Sequence, residues 1–182
     1  MPSDLSTTSF ALLGLLAFDE VTSAEGLTGY ELKQRADNTL RFYWVSPAMS
    51  QIYTELGRLH RHHHVDTIDS KSGRRTTRRY IITASGQDAL DDWLRTSDVE
   101  FPILKHPTAL RLLMGQLMAP SDVEDLLDGY VAALASRHKD LEAVREMLGD
   151  RNEVRFAALV ADWGLAYYES EAQIVKELKK RL

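Results

Sequence analysis

Apolar positions in the first half of the chain fall into short runs with different periods. Phe10–Phe18 is nearly free of polar residues and follows Ser6, Thr7 and Thr8. This predicts a first helix that ends near Asp19 and is buried on most sides. Thr28 and Glu31 have capping-box spacing and open a short second helix over about 28–37. Asn38–Val45, with Phe42, Tyr43 and Trp44, reads as a turn. Ser46-Pro47 suits a helix start. Met49, Ile52, Leu56 and Leu59 then recur at spacings of 3, 4 and 3, which predicts one buried face of a third helix. Val65–Ser70 and Thr76–Thr83 are rich in β-branched residues and flank Lys71-Ser72-Gly73-Arg74-Arg75, so they predict a two-stranded hairpin with a basic tip. Thr83-Ala84-Ser85 opens a fourth helix with Leu90, Trp93 and Leu94 on its apolar face. Residues 5–96 therefore predict helix, helix, helix, strand, strand, helix.

Beyond a hinge-like stretch at Thr96–Pro107 the pattern is wholly helical. Ala109–Met118 forms one segment, and Pro120 stops it. Ser121 and Glu124 predict a second capping box, opening a helix that runs to Leu148. Leu127, Tyr130, Leu134, Leu141, Val144 and Leu148 follow a 3–4 repeat, with Arg137 at one seam position; Gly149-Asp150 breaks it. Phe156, Val160, Trp163, Tyr167 and Ile174 repeat the pattern in a last helix. Two long helices of this period want partners along their length. Leu127, Leu134, Leu141, Phe156, Val160, Trp163 and Tyr167 are thus candidate dimerisation residues. The expected architecture is mainly α with a small β wing. Residues 1–96 form one domain and 97–182 a helical dimerisation domain.

Composition narrows the chemistry. The chain has 182 residues, enough for one domain with a helical appendage, and no cysteine. Disulfides, thiolate metal sites and thiol catalysis are excluded. The apolar run at Phe10–Phe18 falls short of the roughly 20 residues a membrane span needs, and no Lys or Arg precedes it. A cytoplasmic chain without membrane contact is expected. The net charge of −5 excludes a generally basic nucleic-acid binder. Yet the window 54–82 holds seven basic residues against Glu55, Asp66 and Asp69, and four of the six histidines. A basic stripe on an acidic protein points to a local anionic partner.

Several stretches together resemble the PadR family of bacterial transcriptional regulators. They are Ser6–Ala17, Thr28-Gly29-Tyr30-Glu31-Leu32, Phe42-Tyr43-Trp44-Val45-Ser46, Gln51-Ile52-Tyr53 with Leu56 and Leu59, and Arg79–Gly86 with Trp93-Leu94. Trp163–Glu169 is similar to the last helix of the longer PadR subfamily. The resemblance implies a winged helix-turn-helix fold and a homodimeric, sequence-specific DNA-binding regulator. It is expected to repress by occluding a pseudo-palindromic promoter site. It also admits a small aromatic effector. One position departs from the pattern. The family usually has glycine after the third helix, where His63 stands here, so that helix end is expected to be frayed or differently capped.

On this reading Ser50, Gln51, Thr54 and Arg58 enter the major groove of double-stranded DNA, with Arg61 at the helix end and Tyr53 near the backbone. Lys71, Arg74 and Arg75 sit on phosphates. Two rivals use the same residues: a metal-responsive regulator through His60–His64, and a winged-helix protein-interaction module without DNA. Trp44, Trp93 and Trp163 read as core or interface packing rather than a ligand pocket. The carboxylate pairs Asp91-Asp92 and Glu124-Asp125 are adjacent in sequence and diverge on a helix. With no phosphate loop, nucleophile elbow or His-Glu-x-x-His, an enzyme is not expected, nor a cofactor.

Overall fold

In the computed structural model the chain forms two compact units, Met1–Glu100 and Phe101–Leu182. The structure describes residues 5–22, 25–42, 44–72, 75–96, 98 and 105–182, leaving aside the side chains of 21, 22, 70–72, 75 and 76. Tyr43 and most of the hinge-like stretch lie outside the described residues.

Helix α1 (Thr7–Thr22) is capped by Ser6, whose Oγ accepts the Ser9 N–H at 3.1 Å. It continues past Asp19 because that carboxylate faces inward, buried, and accepts from Arg35 Nη2 at 2.7 Å. Helix α2 (Gly29–Thr39) carries the expected capping box. Thr28 Oγ1 accepts the Glu31 N–H at 3.1 Å, and Glu31 accepts the Thr28 N–H at 2.8 Å. A 3-10 turn follows at Leu40–Phe42.

Helix α3 (Met49–Arg61) begins two residues later than Ser46-Pro47 suggests. Ser46 does not cap it. Its hydroxyl donates to Asp37 instead, and Pro47 is buried ahead of the helix. At the other end His63 has φ +60°. The His64 N–H reaches Leu59 O at 2.9 Å and the His63 N–H reaches His60 O at 3.0 Å. This is a Schellman closure with histidine in the place glycine usually takes. The expected fraying is therefore replaced by an ordered cap.

Strands β1 (Val65–Ser72) and β2 (Arg75–Ile82) pair antiparallel, from Val65↔Ile82 to Ser72↔Arg75. Leu27 and Tyr80 exchange backbone hydrogen bonds of 2.8 and 2.9 Å, which ties the base of the wing to the segment before α2. Helix α4 (Ala84–Thr96) is capped by Thr83, whose Oγ1 accepts the Gly86 N–H at 3.1 Å. Gly86 is required there, since a Cβ would strike the His64 carbonyl. Leu90 is buried and Trp93 stacks on Phe10 at 4.8 Å and 7°. Leu94, expected on the apolar face, is 66% exposed; it lies about 100° around the helix from Trp93. Ile52, Leu56 and Leu59 of α3 close the core against Leu12, Leu13 and Leu32.

The second unit is an antiparallel pair, α6 (Pro120–Leu148) and α7 (Arg155–Lys179), with α5 (Pro107–Leu113) beside it. Ala109–Met118 is not one helix: α5 stops at Leu113 and a 3-10 turn at Gly115–Leu117 follows. Gly115, which costs about 1 kcal/mol relative to alanine in a helix interior, stands where the α-helix gives way to that turn. Ser121 caps nothing, because Pro120 occupies the first helical position and Ala119 is the cap residue. His106 caps α5, with Nδ1 accepting the Ala109 N–H at 3.1 Å. Its Nε2 lies 3.0 Å from Glu171, which also accepts from the Tyr130 hydroxyl at 2.9 Å. Along the seam Arg145 Nε meets Asp162 at 2.7 Å and Lys179 pairs with Asp128.

Leu127, Leu134 and Leu141 are buried in this seam within one chain. At Gly164 the two helices pack too tightly for a larger residue: a Cβ would lie 2.6 Å from Leu141 Cδ2. Phe156, Trp163 and Tyr167 stay exposed at 77%, 75% and 44%, and Val160 is half-buried. No helix among the described residues is long and apolar enough to cross a membrane.

Candidate nucleic-acid interface

Helix α3 divides its residues sharply. Ile52, Leu56 and Leu59 have no exposed surface. Ser50, Thr54, Gly57 and Arg61, spaced 4, 3 and 4 apart, form the outermost row. Gln51 and Arg58 stand on one flank of that row and Tyr53 on the other. Among the described residues the outer groups make only local bonds. Thr54 Oγ1 donates to Ser50 O at 2.9 Å, and Arg61 Nε donates to Gly57 O at 3.3 Å. A Cβ on Gly57 would meet nothing within 4 Å, so no internal packing explains a residue that costs about 1 kcal/mol relative to alanine in a helix interior.

The two flanks are tied back to neighbouring elements. Gln51 Nε2 donates to Thr8 Oγ1 at 3.4 Å. Glu55, 6% exposed, accepts hydroxyl hydrogen bonds from Ser6 at 3.0 Å and from Ser9, and lies 3.9 Å from Arg58 Nη1. On the other side the Tyr53 ring covers Gly29 at the start of α2; a Cβ there would lie 2.7 Å from Cε1.

The basic stripe is partly committed within the fold. Arg79 is structural: Nη1 donates to Gly26 O at 2.6 Å and Nη2 to Glu31 at 3.2 Å. Burial pushes the Glu31 carboxyl up, but hydrogen bonds from Thr28 and the Arg79 charge outweigh this and hold it below its ordinary range. Arg78 Nε lies 3.5 Å from Asp69 across the wing, with both side chains exposed. Arg74 lies outside the described residues, and so do the side chains of Lys71 and Arg75. Their strand register alone places Lys71 opposite Thr76 and Arg75 opposite Ser72.

Histidines gather where α3 ends. His60 Nδ1 lies 3.0 Å from the Val65 carbonyl, which can only accept, so this nitrogen carries the proton. His64 Nδ1 lies 3.1 Å from Ser85 Oγ, and burial pushes its pKa below the usual histidine value. No group of three or more metal-ligating side chains converges among the described residues. Of the tryptophans, Trp93 packs on Phe10, whereas Trp44 is 36% and Trp163 75% exposed.

Two roles escape a reading of the sequence alone, those of Glu55 and Arg79. Glu55 carried a signal: on the helical wheel it stands beside Leu59, at the edge of the apolar arc on the Arg58 side, where a carboxylate drawn into the fold needs partners. Arg79 carried none, since its carbonyl partner is supplied by a loop.

No family model matches the sequence, and no curated protein matches it. Solved structures do. Bacillus subtilis PadR in complex with operator DNA superposes with a TM-score of 0.80 at 22% identity, over 95% of this chain and 97% of that one. The fold is that of PadR. The same protein in complex with p-coumaric acid gives a TM-score of 0.72 at 21% identity, over 93% and 95% of the two chains. Smu.1604c from Streptococcus mutans UA159 gives 0.79 at 24% identity, covering 94% and 98%. The PadR-like transcriptional regulator BC1756 from Bacillus cereus gives 0.78 at 18% identity, covering 100% and 98%. The PadR fold thus spans both units, from the winged helix to the last helix.

Proposed function

We propose that the chain is a sequence-specific, DNA-binding transcriptional regulator that works in the cytoplasm as a homodimer and represses by occluding a pseudo-palindromic promoter site. The observation that carries this is α3: a helix with a fully buried apolar face presents Ser50, Thr54 and Arg61 outward, with Gln51, Tyr53 and Arg58 beside them, next to a basic hairpin. In this arrangement α3 enters the major groove and Lys71, Arg74 and Arg75 hold phosphates. The likeness to a PadR structure solved with operator DNA supports the reading. The one solved with p-coumaric acid supports a small aromatic acid as the class of effector.

The dimer rests on α7. Phe156, Leu159, Trp163, Tyr167 and Ile174 recur at spacings of 3, 4, 4 and 7 and are all exposed. An exposed apolar stripe of this kind marks an association surface, and a second copy supplies the matching one.

Selection of bound DNA from a random pool tests the whole proposal. A recovered inverted repeat, bound with an affinity that falls steeply with salt, is the expected result. Replacing Arg74 and Arg75 with alanine should then flatten the salt dependence by roughly one to two units per subunit. Binding that recovers no sequence and ignores salt would favour a protein partner instead.

A further inference from the structure

Glu55 is a buried carboxylate on the helix proposed to read DNA, and none of the proposed DNA contacts uses it. It does not belong to the apolar core. Its Oε2 takes hydroxyl hydrogen bonds from Ser6 and Ser9 in the first turn of α1, where the positive end of the helix dipole favours negative charge. This fixes the carboxylate in place. From there it lies 3.9 Å from Arg58 Nη1, one turn further along α3. Arg58 is 36% exposed at its side chain, so the guanidinium sits at the edge of the reading face with a fixed anion behind it.

We propose that Glu55 is a specificity-determining residue that acts through Arg58. A free arginine at this edge would bind any phosphate within reach and add affinity for all sequences alike. A fixed carboxylate behind it offsets that gain. Moving Arg58 onto a phosphate takes the paired cation away from Glu55, and the carboxylate itself repels the DNA backbone. A guanine edge, met by paired donors in the fixed geometry, repays Arg58 without moving it. Glu55 therefore positions Arg58 for a base and withholds it from the backbone. The inference rests on the DNA-binding reading above.

The test compares wild type, Glu55→Gln, Arg58→Gln and the double variant on the operator selected by wild type and on a scrambled duplex, across a salt series. In Glu55→Gln the side-chain amide oxygen still accepts from both serines, so the clasp persists without its charge. Glu55→Gln is expected to bind scrambled DNA about threefold tighter or more, with a salt slope steeper by up to about one unit per subunit. The ratio of operator to scrambled affinity falls accordingly. In the Arg58→Gln background the same change at position 55 should lose most of this effect. Arg58→Gln alone should weaken operator binding at least about tenfold more than scrambled binding.

Three results would overturn the inference. One is an unchanged scrambled affinity and slope in Glu55→Gln. Another is a gain that persists at full size without Arg58. The third is an equal loss on both DNAs in Arg58→Gln, a result that does not depend on how the Glu55 variant folds. If wild type selects no sequence, the DNA-binding reading fails and takes this inference with it. If it selects one, only Glu55 is on trial.

Discussion

Gly57 sits in the middle of α3 with open space where a side chain would project. Alanine there removes the backbone freedom that glycine brings to the unfolded chain. Gly57→Ala should therefore raise stability by about 0.5–1 kcal/mol, read as a higher urea midpoint at constant m-value. Should operator affinity fall at the same time, the helix lies close to the DNA at that point. His64 gives a pH prediction. Burial lowers its pKa in the folded chain below the reference 6.5, so the unfolded chain binds the proton more readily. The contribution is intact above pH 6.5 and is lost as pH falls from there towards the lower folded value. Melting temperature should drop on acidification through this window, and His64→Gln should make that drop shallower.

At the scale of elements, the end of α3 shows what a sequence can and cannot reveal. The resemblance singled out His63 as a departure, and the structure shows the backbone it must adopt, φ +60° with Schellman hydrogen bonds on either side. His63→Gly should relieve that conformation and stabilise the chain by roughly 0.5–1 kcal/mol, measured by denaturant titration. Element identity was legible throughout the first unit because its patterns are strong: the Ile52, Leu56, Leu59 face, the Thr28–Glu31 box and the two β-branched strands. Starts were less legible. Ser46 and Ser121 look like caps, but Ser46 is drawn to Asp37, and Pro120 starts its helix one residue before Ser121. The outward placing of Ser50, Thr54 and Arg61 on α3 was legible; the partners in the clasp that ties its flank to α1 were not, because a contact between residues 6 and 55 leaves no local trace.

Across the whole molecule the seven candidate dimerisation residues fall into two groups with opposite consequences. Leu141 packs on Gly164 inside the α6–α7 seam, so Leu141→Asp places a charge in a buried contact and should destabilise the second unit by about 3 kcal/mol or more. Trp163 is exposed, so Trp163→Glu should leave helicity and melting largely unchanged while shifting the population towards monomer. Light scattering at micromolar concentration, read beside circular dichroism, separates the two. A 3.5-residue period alone could not, because a seam inside one chain and a seam between two chains use the same spacing.

The exposure of Trp163 also makes the chain its own optical probe. Its three indoles occupy different settings: one stacked on Phe10, one partly exposed at Trp44, and one open on α7. Water around an open indole red-shifts its emission, and covering that face with a second chain removes the water. With Trp44 and Trp93 replaced by phenylalanine, the emission maximum of Trp163 should move to the blue as concentration rises. The midpoint of that curve gives the dimer constant without a label.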